Sequence, residues 1–450
     1  MLWTNFLHIY QPPTQKEIWV KRIADESYRK VLAGISGIPR ARLTLNINGV
    51  LCELLEKYRC GDVIQSIKKL LREGKIELTG SAKYHAFLPL LPDSEIERQI
   101  RLNEESLEKY FGSLWKKSGF FPPEMAYSKR VAEIAARMGY KWIIVDELAK
   151  PPGKKLSHET VYEIEGIPGF SVFFRERNLS FIILSARAGA ISAILRFAED
   201  RLDKNEYAIT AMDGETFGHH RPGLENLLFD LLKEEKIQPA MVSDLCSAFS
   251  KREKIEPRES TWAATKKDMR DGTPFSRWAS EQNNIQKNQW ALTKLAIDTV
   301  NKNGGGESRE LLDRALHSDQ YWWASAKPWW SLEMIERGAN ELHEVVNISP
   351  ASTENDKEKA EELYKGIIYT AFKWQRSGLV DIIARRADED VQERLELKEK
   401  FFLTKDEYEN MIKTLEEQVQ LAANSKEYHR AAMIQDRVRE LKEEMNKTSI

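Results

Sequence analysis

The chain is predicted to be α/β, a (β/α)7-type barrel followed by a helical domain and a C-terminal αα-hairpin. Three observations carry this. About seven short apolar runs alternate with helix-period segments over residues 1–255, the pattern of a parallel sheet with helices packed outside it. From 256 to 390 strand candidates become scarce and amphipathic helical segments take over. Within 391–450 two stripes of apolar residues at helical spacing face one another across a short polar break, as in a helical hairpin whose seams zip together.

The expected strands are 2–7, 43–46, 75–78, 119–121, 142–145, 172–174 and 207–212, with helices at 50–58, 63–72, 94–110 and 131–138 between them. Seven strands favour a closed or nearly closed barrel, and an open doubly wound sheet fits the same alternation. In the second domain, helices are expected at 283–301, 308–315 and 353–376, the first two joined by Gly304-Gly305-Gly306. In the third, Thr404 followed by Glu407 reads as a capping box. The seam then runs Tyr408, Ile412, Leu415, Val419, Ala422, and after a cap at Ser425 continues as Ala431, Ile434, Val438, Leu441 and Met445.

Bulk properties narrow the function classes. A length of 450 residues with 42% hydrophobic content supports two or three domains and a sizeable core. Lys+Arg 68 against Asp+Glu 70 leaves a net charge of −2, which gives no electrostatic reason to expect nucleic acid or an anionic membrane as main partner. Cys52, Cys60 and Cys246 are too few and too odd in number for a disulfide framework, and no CxxC pair suggests zinc. No apolar run approaches membrane-spanning length. A soluble, cytoplasmic protein is expected.

Chemistry concentrates where strands give way to loops, the edge at which barrels collect their reactive groups. Asp213-Gly214-Glu215-Thr216-Phe217-Gly218-His219-His220 follows the apolar run 207–212. Glu124 sits in a comparable setting after Pro122-Pro123, and His8 and His85 follow two other strand candidates. Two carboxylates meeting across a cleft are the minimum equipment for cutting a glycosidic bond. Bland readings compete: Asp213 as a helix cap, Glu124 as a surface residue, the histidines as core hydrogen-bonders, Glu215 as a residue orienting a neighbour. His219 and His220 beside Asp213 invite a metal, yet no His-x₃-His pair supports one, so neither metal nor cofactor is expected.

Four ordered segments, His8-Ile9-Tyr10-Gln11-Pro12, Gly80 to His85, Pro123-Glu124-Met125 and Asp213-x-Glu215-x-Phe217-Gly218, together resemble glycoside hydrolase family 57, retaining enzymes acting mainly on α-glucans. Tyr10 stands where the family's first motif has a second histidine. A looser fifth motif resembles Thr261-Trp262 through Asp268, and the resemblance covers roughly residues 1–345. It implies Glu124 as nucleophile and Asp213 as general acid, then base, with carboxyls roughly 5–5.5 Å apart in a retaining geometry. Proximity to Glu124 and partial burial are expected to raise the pKa of Asp213. The substrate contacts expected are His8, Gln11, His85, Glu215, Phe217, His219, Trp262, Asp268 and Trp323, the tryptophans because sugar C–H faces pack on aromatic rings. His317 and Asp319 lie beside the run Tyr321-Trp322-Trp323 and are weaker candidates.

Tyr428, Ala431, Ala432, Asp436 and Arg437 resemble the UVR motif, a helical hairpin found in excision-repair proteins, with Gln435 and Val438 in place of its preferred arginine and isoleucine. That implies a docking module for a protein partner; a stabilising hairpin folded onto the body is the competing reading. Neither an ATP-binding loop nor a nuclease motif accompanies it. The function expected is hydrolysis or transglycosylation of α-1,4-glucan or maltooligosaccharide by double displacement. The rival is a non-catalytic glucan-binding or regulatory protein recruited through its hairpin. A metal-dependent polysaccharide deacetylase would need His/Asp ligands that do not assemble here.

Overall fold

A computed structural model describes residues 1–184, 191–303, 306–327, 329–386, 405–424 and 428–448. Its strands are β1 (Leu2–Ile9), β2 (Leu43–Ile47), β3 (Ile76–Thr79), β4 (Gly119–Phe120), β5 (Trp142–Asp146), β6 (Val161–Ile164), β7 (Ser171–Arg175), β8 (Tyr207–Asp213), β9 (Gln238–Ala240) and β10 (Arg252–Ile255). The seven expected runs became β1 to β5, β7 and β8, within two residues at either end. β6, β9 and β10 were not expected. They are short, and Glu163, Pro239 and the charged Arg252-Glu253-Lys254 deny them an apolar signature.

Two sheets form, ordered β3-β2-β1-β8 with β9 also on β1, and β10-β6-β7-β5-β4. Backbone hydrogen bonds join them at both ends. Gly80 N–H donates to Gly119 O and Phe121 N–H to Gly80 O, each at 2.9 Å, a parallel bridge between the ends of β3 and β4. Across the other seam Glu176 N–H donates to Ile209 O at 2.7 Å. The circuit β1-β2-β3-β4-β5-β7-β8 is therefore a seven-strand ring. Gly80 is required at its joint, because a Cβ there would fall 2.0 Å from the Tyr140 hydroxyl.

Strand alternation sorts the side chains. Leu7, Ile9, Leu43, Leu45 and Met212 join the cluster under the outer helices, and Ile143, Val145, Val172 and Phe174 do the same on the opposite side. Phe6, Phe121, Trp142, Ile144, Phe173, Ile209 and Ala211 fill the inside of the ring. The same parity puts His8, Asn46, Asp146, Arg175 and Asp213 at the last inward positions of their strands. The top of the ring is a polar tier over an apolar plug.

The helices Asn284–Asn303, Glu307–Ala315 and Glu354–Arg376 appear where expected, and Leu332–Ile348 and Leu379–Arg386 are additional. Ile285, Leu292, Leu312, Ile335, Leu342 and Ile367 share one core with Val131 and Ile134 of the outer helix Lys129–Arg137, so the helical region lies on the ring. A buried ion pair from Arg309 to Glu95, at 2.7 Å, ties the same two parts.

The hairpin comprises Lys405–Asn424 and Tyr428–Thr448. Its expected caps at Thr404 and Ser425, and the expected domain boundary at 390/391, lie outside the described residues, as do Gly304 and Gly305 of the expected linker. Both seams are present, and they continue into the body's core with Leu227, Leu228 and Leu231. Glu407 accepts from Ser192 and from Arg196, the latter at 2.5 and 2.8 Å, while its expected capping box with Thr404 falls outside the described residues. Leu415 presses on Gly223, where a Cβ would lie 2.7 Å from Leu415 Cδ2. The seams pack against one another and against the chain's own body. Among the described residues no helix is long and apolar enough to cross a membrane.

Candidate active site

The polar tier is wired by its histidines. Asn46 Nδ2 donates to Thr79 Oγ1 at 3.0 Å, leaving Asn46 Oδ1 to accept from His8 Nδ1 at 2.7 Å. His8 Nε2 is then the acceptor for His85 Nε2 at 3.1 Å, and His85 Nδ1 accepts from Ser318 Oγ at 2.9 Å. This assignment needs both rings neutral. Burial, with the neighbouring His85, holds His8 well below the usual histidine range, and burial brings His85 down to about 4. All four ring nitrogens are thus used within the protein. The two histidines, expected to meet sugar hydroxyls, are thereby tied to the loops around them, with His85 Nδ1 also 3.9 Å from Glu124 Oε1.

Glu124 follows β4 through the Pro122-Pro123 turn, in the left-handed region at φ 62, with Met125 at φ 47 after it. Non-glycine residues pay of order 1–2 kcal/mol for that conformation and hold it only where the surroundings enforce it. Here the segment 260–262 enforces it. Tyr127 N–H donates to Ser260 O at 2.9 Å, Trp262 N–H to Glu124 O at 3.1 Å, and the Trp262 indole to Glu124 Oε2 at 2.8 Å. The carboxyl keeps 16% side-chain exposure, open to the cleft. Burial pushes Glu124 up to about 8 against the pull of the indole bond, with the charges of Asp213 and Asp319 adding to the rise.

Asp213, ending β8, is pushed up to about 6 by burial, opposed by the Arg175 guanidinium. The expected rise is present; its leading cause is burial, and Glu124 is raised further than Asp213. The charge of Asp213 reaches Glu124 from the opposite arc of the ring, whereas the rise of Asp213 itself comes from burial and not from Glu124.

Glu215 is buried. It accepts from the Tyr28 hydroxyl, from Gln11 Nε2 at 3.3 Å and from Tyr10 N–H at 3.2 Å. Burial, then the charge of Asp213, pushes it up to about 7. Tyr28 reaches it from a π-helical turn, Ala24–Tyr28, whose Ser27 hydroxyl also donates to Gly214 O at 3.1 Å. Glu215 and Gln11 therefore knit the loop after β8 to the loop after β1. Phe217 is 1% exposed and packs in the core, with no face for a sugar. Gly218 at φ 103 brings the chain so close to Glu26 that a Cβ would lie 2.1 Å from its carbonyl oxygen. His219 is turned to Glu26 at 2.6 Å.

The helical domain supplies the remaining side. Tyr10 stacks on His85 with ring centroids 4.0 Å apart, and its hydroxyl donates to Asp319 Oδ2 at 2.6 Å. His317 Nδ1 lies 3.2 Å from the same carboxylate, and its Nε2 lies 3.6 Å from Glu341. Burial disfavours the imidazolium, but bonds and charges from Asp319 and Glu341 outweigh it and push His317 up to about 9. Burial likewise opposes ionisation of Asp319, yet His317, His85 and Tyr10 bring it below the usual carboxylate range. Asp268, expected in the site, caps the helix Lys266–Arg270 with Thr265 and accepts from Ser276 at 2.8 Å. Trp323 is half-buried, edge-on to Trp329 at 5.8 Å, and Trp322 packs on Trp278. Asn46, Tyr28, Asp146, Arg175 and Glu341 were missed. They stand outside the motifs, and only their places at strand ends or on a buried helix face hinted at them. Among the described residues no group of three or more His, Cys, Asp or Glu is arranged to hold a metal ion.

Residues 8–257 match the model of glycosyl hydrolase family 57. An α-amylase of Pyrococcus horikoshii is 25% identical over 264 residues, 54% of this chain and 40% of that protein. The chain thus spans well under two thirds of that relative's length. The fold is similar to a family 57-type branching enzyme from Pyrococcus horikoshii, with TM-score 0.62 and 18% identity, covering 81% of this chain and 94% of that one. It is also similar to a 4-α-glucanotransferase from Thermococcus litoralis, with TM-score 0.60 and 17% identity, covering 77% and 58%.

Proposed function

The chain belongs to glycosyl hydrolase family 57, and from that premise we propose that it acts on α-1,4-glucan or maltooligosaccharide by double displacement through a glycosyl-enzyme. The observation that carries the reading is the pair Glu124 and Asp213, one after β4 and one ending β8, both raised, with the charge of Asp213 felt at Glu124.

In this mechanism Glu124 attacks the anomeric carbon while Asp213 protonates the departing glycosidic oxygen. An acceptor hydroxyl then attacks the same carbon, gives its proton to Asp213 and releases Glu124. The chemistry requires one proton on the pair. With the cleft empty that proton favours Glu124, which stands near 8, over Asp213 near 6. Substrate binding must therefore bring it to Asp213, whose protonated form gains a hydrogen bond to the glycosidic oxygen. The single-proton form prevails between the two titrations, so activity is expected as a bell between roughly pH 6 and 8. The Trp262 indole bond stabilises the ionised Glu124 that the attack needs. Water, a sugar 4-hydroxyl or a 6-hydroxyl as acceptor distinguishes hydrolysis, glucanotransfer and branching.

The test is incubation with a maltooligosaccharide and resolution of products by size and linkage. Shorter chains alone mean hydrolysis, a ladder in both directions means transfer, and new α-1,6 linkages mean branching. Glu124→Gln should abolish turnover while retaining glucan binding, measured by calorimetry. Binding without turnover in the unaltered protein would remove the reading in favour of a non-catalytic glucan binder.

A further inference from the structure

Arg175 ends β7 with its side chain 2% exposed inside the polar tier. Its guanidinium makes a planar set of bonds: Nε to Asp146 Oδ2 at 2.7 Å, Nη1 to Ala211 O at 3.0 Å, and Nη2 to Trp262 O at 3.2 Å. Each acceptor has a meaning for the site. Ala211 precedes Asp213 by two residues on β8. Trp262 is the residue whose indole holds Glu124. Among the described residues the seam between β7 and β8 carries no regular strand ladder. There Ala211 N–H bonds to the Ser180 hydroxyl instead of a strand, and Arg175 replaces the missing ladder contact on the carbonyl side.

The charge that bears on Asp213 is that of Arg175 from β7, while the charge of Asp213 bears in turn on Glu124 from the loop after β4 and on Glu215 and Tyr28 from the loop and helix beside it. Arg175 is the cation of that set; Asp146 and Arg177 form the adjoining pair, at 3.3 Å.

We propose that Arg175 is a positioning residue for the second half of the reaction, keeping Asp213 as a carboxylate base after Glu124 has been esterified and fixing the separation of the two carboxyls. The inference rests on the glycosidase reading above. In that half-reaction the acceptor oxygen bonds to the anomeric carbon, and the bond from that carbon to Glu124 breaks with its electron pair returning to Glu124. The acceptor's proton passes to Asp213. Esterification removes the Glu124 charge, and the Arg175 charge then favours the ionised base at the moment it must accept a proton. A lysine cannot reproduce this, because one ammonium does not span three acceptors lying in a plane.

The test uses the full chain with Arg175→Met and Arg175→Lys, following kcat and kcat/KM against pH on maltooligosaccharide. In Arg175→Met the acid limb should move to higher pH by roughly one unit, from the loss of a nearby positive charge. The glycosyl-enzyme should also accumulate, visible by mass spectrometry after acid quench. Arg175→Lys should leave the limb in place and lower kcat by about tenfold, the cost of one misplaced contact. A folded Arg175→Met protein with an unmoved limb and no accumulated intermediate overturns the proposal. If Arg175→Met does not fold, Arg175→Lys with unaltered kcat overturns it. If the unaltered chain turns over no glucan, the glycosidase reading is what has failed. The charge effect is then read by infrared titration of the Asp213 carboxyl, with Asp213→Asn as the blank; an equal midpoint in Arg175→Met and the unaltered chain rejects it.

Discussion

Replacing Trp262 by Phe isolates one hydrogen bond. The indole donates to Glu124 Oε2 at 2.8 Å, while its ring packs on Phe121 with centroids 5.6 Å apart. Phenylalanine keeps most of that packing and removes the donor. A hydrogen bond to a charged acceptor contributes about 1.5–3 kcal/mol, which is roughly 10- to 150-fold in rate when the charged form is the one that reacts. The bond favours the carboxylate, so its loss raises Glu124 further above its present value of about 8. Two signatures follow. The plateau of kcat/KM drops by that factor, because fewer molecules hold Glu124 ionised with Asp213 protonated. The alkaline limb moves up by roughly 1–2 pH units, the same energy expressed as a pKa. The assay is steady-state kinetics on a maltooligosaccharide from pH 4.5 to roughly pH 10, spanning both limbs. A plateau within about twofold of the unaltered protein and a stationary alkaline limb would show that Glu124 does not depend on the indole, and the nucleophile's electrostatic account would be wrong.

Other consequences concern stability. Gly218→Ala combines φ 103 with a Cβ 2.1 Å from the Glu26 carbonyl, and a loss of about 2–4 kcal/mol is expected in urea unfolding; an unchanged midpoint refutes the close approach. His317 stands near 9 in the fold against 6.5 unperturbed. Its contribution, up to about 3 kcal/mol, is therefore complete below pH 6.5 and lost as pH rises through 9. His317→Gln should flatten the fall in melting temperature over that window, and an unflattened curve would deny the charged triad. Leu415→Ala empties a buried position between hairpin and body, at an expected cost of about 2–4 kcal/mol. Hydrogen exchange at 405–424 and 223–233 should rise together; a rise confined to the hairpin means that it is not seated on the body.

The seven strands of the ring were legible because β5, β7 and β8 are largely apolar on both faces, while β1, β2 and β3 keep an apolar outer row beside polar inward residues such as Asn46 and Glu77. The charged or proline-bearing β6, β9 and β10 were illegible for the opposite reason. The motif residues Glu124 and Asp213 could be found from strand ends alone, yet their neighbours could not. Nothing in the local sequence of Tyr28 says that a π-helical turn will swing its hydroxyl onto Glu215, 187 residues away. His8 and His85 read as sugar contacts only through the motifs around them, and their mutual bond, fixed by Asn46 and Ser318, carries no local signal. The hairpin seam was read correctly as a stripe, while what covers it depends on packing with residues such as Gly223, which carry no signal of their own.

That Ser318 and Asp319 reach across to His85 and Tyr10 has a consequence for how the protein comes into being. The ring can close once β8 has been synthesised, but its mouth lacks one wall until some hundred further residues have followed. During that interval the nascent chain carries the proposed pair of reacting acids beside a His85 that still lacks its Ser318 partner. Competence to act on a sugar should therefore arrive late in synthesis, after the helices dock, and a ribosome stalled soon after the ring would display a barrel without a working mouth.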